Sequence, residues 1–145
     1  MKTDTEIFMS RSEEDTREFG REFAGTLSGG NVILLFGDLG AGKTVFVRGV
    51  CEAFGITGVR SPSFTLVNEY ESPSGIFVIH ADLYRLDPDG VSATGLDEYA
   101  GDSSVILFVE WPGRWQNPPA DSIRIHFEST SENERAITVE RVITR

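Results

Sequence analysis

The run Gly37-Asp38-Leu39-Gly40-Ala41-Gly42-Lys43-Thr44 satisfies G-x-x-x-x-G-K-[ST] at every specified position. Its setting narrows the fold further. Asn31 to Phe36, just before it, is an apolar run of strand length; behind it Val45, Val47, Val50, Cys51 and Phe54 recur at helical spacing until Gly55 supplies a stop signal. A strand, a glycine loop and a helix in that order form a phosphate-binding loop. The glycines let the backbone curl until successive N–H groups point inward, and the helix behind adds its positive end, so the natural occupant is an anion. Lys43 reaches the outer phosphates as a point charge, and the Thr44 hydroxyl is placed to ligate Mg²⁺. The bland alternative, a glycine-rich turn that binds nothing, has to explain the full match in this setting.

The rest of the chain sets limits on function. With 145 residues it predicts one domain, 1–145, that buries a core but leaves no room for a separate regulatory unit. There is no opening apolar run of signal-peptide type and no stretch of about 18 apolar residues, which predicts a cytoplasmic protein without a membrane span. Cys51 is the only cysteine, so neither an internal disulfide nor a cysteine zinc cluster is expected. On the helix behind the loop it reads as a small core residue. Net charge is -10, and Lys2 and Lys43 are the only lysines. Such an acidic surface disfavours direct gripping of tRNA or DNA, whose affinity comes largely from basic contacts to phosphate. A nucleotide is not excluded, because distant charges are screened beyond roughly 8 Å while the loop amides, Lys43 and Mg²⁺ act at contact distance.

Taken in order, Thr5 to Ser10 is a short strand and Ser12-Glu13-Glu14-Asp15 opens a helix, with Ser12 as N-cap and Phe19, Phe23 and Leu27 on one face. Ser28-Gly29-Gly30 marks its expected end. The hydroxyl-rich connection from Val59 to Thr65 is either a switch that senses the outer phosphate or an ordinary loop. Thr65 to Glu71 and Ile76 to Asp82 form an antiparallel hairpin around Ser72-Pro73-Ser74-Gly75. The second of these strands ends in Asp82, and Val105 to Glu110 ends in Glu110. Either carboxylate is a candidate for the strand-end acid that faces magnesium or the attacking water. His80 reads as a hydrogen-bonded structural residue and His126 as a strand-surface residue. Leu83 to Leu96 is rich in Asp, Gly and Pro, Gly95 to Ala100 is a short helix, and Ser122 to Glu128 with Arg135 to Val142 make a final hairpin.

Several fragments, in this order, resemble one family: the phosphate loop, Ser61-Pro62-Ser63-Phe64-Thr65-Leu66-Val67, His80-Ala81-Asp82-Leu83-Tyr84-Arg85-Leu86, Gly95-Leu96-Asp97-Glu98-Tyr99 and Val109-Glu110-Trp111-Pro112. The chain is similar over nearly its whole length to the TsaE (YjeE) family, bacterial ATPases of tRNA threonylcarbamoyladenosine biosynthesis. The resemblance implies an α/β fold of P-loop NTPase type, with a mixed, mostly parallel β-sheet flanked by helices and antiparallel strands at the C-terminus. It also implies Mg-ATP binding and slow ATP hydrolysis that depends on protein partners, TsaD and TsaB, whose complex modifies adenosine 37, so that tRNA is met only indirectly. Carried over by motif, Gly37, Asp38, Leu39, Gly40, Ala41, Gly42, Lys43 and Thr44 would hold the nucleotide. Thr44 and Glu110 would hold Mg²⁺, and Asp82 would join the metal and water network. Thr65 would belong to the switch, Trp111 would shape the nucleotide site and Glu13 would lie near the adenine. The catalytic set would then be Lys43, Asp82 and Glu110. Two positions depart from the commoner family pattern: Ser63-Phe64 replaces Thr-Tyr, and Gly113 stands where an acid or amide follows Trp-Pro.

Two further functions compete on sequence alone. A small-molecule kinase needs an acceptor pocket and an arginine-bearing lid, for which the chain is short. A nucleotide-dependent docking module, with hydrolysis incidental, uses the same loop. No Asn-Lys-x-Asp guanine-reading run occurs, which argues against a GTPase. Arg60, Arg85, Arg114 or an arginine from a partner are the candidates for an arginine finger.

Overall fold

The computed structural model describes residues 2–38, 41–62 and 65–143. Its strands are β1 (Lys2–Ser10), β2 (Val32–Phe36), β3 (Val67–Glu71), β4 (Phe77–Asp82), β5 (Val105–Glu110), β6 (Ile123–Ser129) and β7 (Arg135–Ile143). Its helices are α1 (Glu13–Ala24), α2 (Lys43–Ala53), α3 (Pro88–Ser92) and α4 (Leu96–Ala100), with a short 3-10 turn at Pro112–Arg114.

All seven strands join one sheet in the order β1-β7-β6-β2-β5-β4-β3. The centre is parallel: β2 lies between β6 and β5, and β4 pairs with β5. Both edges are antiparallel, β3 on β4 at one side and the β6–β7–β1 meander at the other. The mixed sheet and the C-terminal antiparallel strands agree with the fold expected from sequence. The N-terminal strand is longer than the pattern indicates, because β7 offers it a partner along its whole length.

Alternate residues of the buried strands feed two cores, as a two-residue side-chain period requires. On one face Ile33, Leu35, Phe108 and Ile125 pack under α1 and α2. On the other, Leu34, Ile79, Leu107 and Val109 pack against Val91 of α3 and Leu96 of α4. Phe46, fully buried, is the hub of the first core, with ring centroids 5.4 Å from Phe23 and 5.5 Å from Phe127. The Cys51 thiol, in the same core, is pushed up to about 12 by burial and the nearby Glu52, so it stays protonated and inert.

The two helices over that core touch backbone to backbone. A Cβ on Gly20 would sit 2.3 Å from the Phe46 carbonyl oxygen, and one on Gly49 would sit 2.0 Å from that of Arg17. Reciprocal glycines thus set how closely α1 crosses α2, and that crossing brings the start of α1 over the start of α2.

α1 begins where the sequence predicts, with the Ser12 hydroxyl accepting from the Asp15 amide at 3.0 Å. It ends earlier, at Ala24. The Gly25 and Thr26 amides close onto the last turn, and the Thr26 hydroxyl donates to the Phe23 carbonyl at 2.7 Å. Ser28-Gly29-Gly30 serves instead as a close approach to the chain entering β5: a Cβ on Gly29 would lie 1.9 Å from the Ser103 carbonyl oxygen, and the Gly30 amide donates to Val105. Within the segment read only as Asp-, Gly- and Pro-rich, α3 forms from an Asp87 cap followed by Pro88 in the first turn.

Candidate functional site

β2 delivers the chain to Gly37, whose φ of 142° and crowded surroundings both call for glycine, since a Cβ would meet the Phe127 carbonyl oxygen at 2.7 Å. The Ala41 amide donates back to the Asp38 carbonyl at 3.1 Å. Leu39 and Gly40 lie outside the described residues. Gly42, at φ 99°, starts α2 and sends Lys43 and Thr44 into its first turn.

A cavity of about 350 Å³ opens at this N-terminus. Of the site residues expected from sequence, Glu13, Gly42, Lys43, Thr44 and Glu110 line it. So do Ser12 and Thr16 of the α1 start, and Ser61 from the connection expected to hold a switch. Gly37, Asp38 and Ala41 belong to the loop behind, whereas Asp82, Thr65 and Trp111 are not part of the lining.

Lys43 is 4% exposed, and its charge is met within the protein. Nζ donates to the Gly37 carbonyl at 2.6 Å, lies 3.5 Å from Glu110 Oε1 and sits 4.9 Å over the Trp111 ring centroid. Glu110, also buried, receives a second partner from behind: His80 Nε2 donates to its Oε2 at 2.6 Å. His80 is therefore the hydrogen-bonded structural residue that the sequence predicts, with its Nδ1 buried and unpartnered. Burial alone would push the Glu110 carboxyl up. The His80 hydrogen bond and the charges of His80 and Lys43 outweigh it and hold the group below its ordinary value of 4.5.

Asp82 is directly opposite Glu110 in the β4–β5 register and equally buried. Its Oδ1 accepts from the Tyr84 amide at 2.9 Å. Trp111 follows Glu110 with φ 57°, turning the chain sharply into the 3-10 turn and placing its ring centroid 4.8 Å from that of Tyr84, the two planes tilted by 46°. Leu66, whose carbonyl accepts from the Asp82 amide, has φ 69°. These are the two non-glycine residues of positive φ among those described, and both adjoin the strand-end carboxylates, a placement typical of functional sites.

Thr65 turns toward β3, donating from Oγ1 to Asn68 Oδ1 at 2.5 Å, while Asn68 Nδ2 donates to the Arg60 carbonyl at 3.0 Å. Ser63 and Phe64, where the sequence departs from the family pattern, lie outside the described residues. None of the arginines considered as a finger, Arg60, Arg85 and Arg114, lines the cavity; Arg114 Nη1 instead donates to the Leu86 carbonyl at 3.0 Å. Sequence reasoning missed a further wall: Glu132 and Asn133 of the β6–β7 turn and Arg135 at the start of β7 line the cavity. A polar turn in a hairpin carries no local sign of what it will face.

Among the described residues no group of three or more His, Cys, Asp or Glu side chains converges as a metal cage, and no helix is long and apolar enough to cross a membrane.

A protein-family model described as threonylcarbamoyl adenosine biosynthesis protein TsaE matches residues 10–137. The chain is 44% identical over 133 residues to the tRNA threonylcarbamoyladenosine biosynthesis protein TsaE of Aquifex aeolicus, covering 90% of this chain and 92% of that one. It is 38% identical over 135 residues to the protein of the same name from Bacillus subtilis, covering 91% and 83%. The crystal structure of Bacillus subtilis YdiB superimposes with a TM-score of 0.81 at 30% sequence identity, over 99% of this chain and 89% of that one. By the family match over residues 10–137, these identities over about nine-tenths of the chain and the shared fold, the chain belongs to the TsaE family, proteins of tRNA threonylcarbamoyladenosine biosynthesis.

Proposed function

We propose that this protein binds Mg-ATP and hydrolyses it slowly, as a partner-activated ATPase of the cytoplasm. In this reading it acts on a TsaD–TsaB complex, the partners that family membership implies, to sustain threonylcarbamoylation of tRNA adenosine 37, and does not itself transfer the group. The observation that carries the reading is the cavity at the α2 N-terminus, in which Lys43, Thr44 and Glu110 converge.

The donor set fits Mg²⁺. A threonine hydroxyl and a carboxylate are hard oxygen ligands, and this ion is commonly held by one or two protein oxygens together with water and substrate phosphates. When bound, it would neutralise charge developing on the phosphoryl oxygens. Thr44 and Glu110 would hold it.

The chain's own residues do the positioning. The first-turn amides of α2 and the amides of the preceding loop bind phosphate oxygens, with the helix dipole behind them. Lys43 exchanges the Gly37 carbonyl and Glu110 for phosphate, so a ligand competes with an internal partner for the same ammonium. Glu110, relieved of Lys43, keeps its His80 hydrogen bond and so its orientation. Asp82 lies opposite Glu110 on the next strand and outside the cavity lining, and its place in the metal and water network is carried over from the family pattern. Arg60, Arg85 and Arg114 stand off the cavity, and Arg135, which lines it, donates to the carbonyls of Ser131, Glu132 and Glu134; intrinsic hydrolysis is therefore slow in this reading, and a partner raises it.

Calorimetric titration of the purified protein with Mg-ATP tests this. Lys43→Ala is expected to weaken binding by about ten- to hundredfold, the worth of a lost charge-assisted hydrogen bond. Undiminished affinity in the variant would overturn the assignment. Reconstituted tRNA modification with ATP against a non-hydrolysable analogue then separates an ATPase from a docking module: equal multiple-turnover modification with both would remove hydrolysis from the mechanism.

A further inference from the structure

The connection that leads from α2 to β3 meets the cavity at one end only: Ser61 lines it, and Thr65, four residues on, does not. Side chains of β3 hold both ends, by different means. Arg60, beside Ser61, is clamped through its main-chain groups. Its N–H donates to the Tyr70 hydroxyl at 3.0 Å, and its carbonyl accepts from Asn68 Nδ2 at 3.0 Å and from the Tyr70 hydroxyl at 3.4 Å. The Tyr70 ring packs against the first core, so this root is fixed. Thr65 is the tip. Its hydroxyl donates to Asn68 Oδ1 at 2.5 Å, in a bond exposed to solvent.

A strained residue adjoins the tip. Leu66 has φ 69°, a region that a leucine enters only when its surroundings hold it there. Its amide donates to the Pro62 carbonyl and its carbonyl accepts from the Asp82 amide, each at 2.8 Å. Returning Leu66 to an ordinary φ would swing the chain at Thr65 and leave the root in place. Four residues of chain span at most roughly 14 Å, so a released Thr65 stays on a short tether to the cavity wall at Ser61. An exposed hydrogen bond contributes little net free energy and opens readily. The contact with Asn68 is one that a bound ligand can outcompete.

We propose that Asn68 is a positioning residue for the nucleotide chemistry: in the nucleotide-free protein it latches the Thr65 hydroxyl onto β3, and an occupied outer-phosphate position draws Thr65 off it, with Leu66 as the pivot. This rests on the nucleotide binding proposed above. Such a latch lowers apparent affinity, because the fraction of molecules with Thr65 free is small. The penalty falls on a nucleotide whose outer phosphate recruits Thr65 and spares one that ends at the second phosphate. Asn68 thereby biases the site against the triphosphate without touching it.

Calorimetry on the full chain with two probes, the Mg complex of a non-hydrolysable ATP analogue and Mg-ADP, tests the latch. Asn68→Ala removes the acceptor of an exposed bond, and an unchanged thermal midpoint verifies that the fold is kept. The variant is expected to bind the analogue about three- to tenfold more tightly, the worth of one hydrogen bond, and ADP as tightly as the parent. In a Thr65→Val background, which has no hydroxyl to latch, Asn68→Ala is expected to change neither affinity, and this non-additivity assigns the effect to the pair. A merely structural Asn68 would weaken both nucleotides alike. Equal changes for the two probes, no change for either, weaker binding of the analogue, or the same gain in the Thr65→Val background would overturn the latch while leaving the phosphate site standing. If the parent protein bound neither probe, the nucleotide reading itself would fall, and this inference with it.

Discussion

The ends of β4 and β5 are neighbours in register, each buried and each closing in a carboxylate, and different groups meet the two acids. Glu110 is gripped through both oxygens by side chains, His80 at 2.6 Å and Lys43 at 3.5 Å. A main-chain amide, that of Tyr84, holds Asp82 at 2.9 Å. Register partners on one face of the sheet, the two acids repel each other when both are charged, and Glu110 takes its hydrogen bond from His80, two residues before Asp82 on the same face of β4. A strand-end acid held by side chains is coupled to whatever those side chains do, so Lys43 links Glu110 to the phosphate loop.

Breaking the side-chain grip has the largest expected effect. His80→Ala opens a cavity in the core and leaves a buried carboxylate short of a donor, a loss of about 3 kcal/mol read as a lower urea midpoint. A loss well under 1 kcal/mol would show that Glu110 does not depend on this bond. The acid limb of stability sharpens the comparison next. Because the folded Glu110 is held below 4.5, its contribution is complete above that pH and is lost as pH falls through the lower folded value. Glu110→Gln is therefore expected to flatten the decline below pH 4.5, measured as unfolding free energy against pH; an unaltered slope would assign the decline to other carboxyls. Smallest is Asp82→Asn, which keeps an oxygen for the Tyr84 amide and is expected to cost about 1 kcal/mol or less. A cost matching that of His80→Ala would erase the distinction between the two strand ends.

Much of the architecture was legible residue by residue. Alternation around Ser72 to Gly75 and around Ser129 to Glu134 marks the two hairpins, and the strand–loop–helix at Gly37 is written in glycine spacing and apolar periodicity. The helix end at Ala24 was not, because Thr26 outcompetes a pair of glycines that look like a stop but serve a contact with Ser103. Phe46 escaped notice although it is the core's hub, since a ring inside the phosphate-loop helix advertises nothing about the four phenylalanines that surround it. At the site, Lys43, Thr44 and Glu110 meet as their motifs imply. Thr65 turns instead to Asn68, and the β6–β7 turn enters unannounced.

Sequence by itself determined what depends on a few consecutive residues: a loop whose glycines free its amides, a lysine and a threonine at the first turn of a helix, and strands that end in acids. Those are properties of backbone conformation and side-chain type within one local window. Only the tertiary structure decided which acid meets Lys43, how near α1 comes to α2, and that the last hairpin completes the cavity. Each follows from contacts between residues far apart in the chain, Gly20 on Phe46, Gly49 on Arg17 and Ser10 beside Arg135. Such distances close only when the whole sheet packs at once.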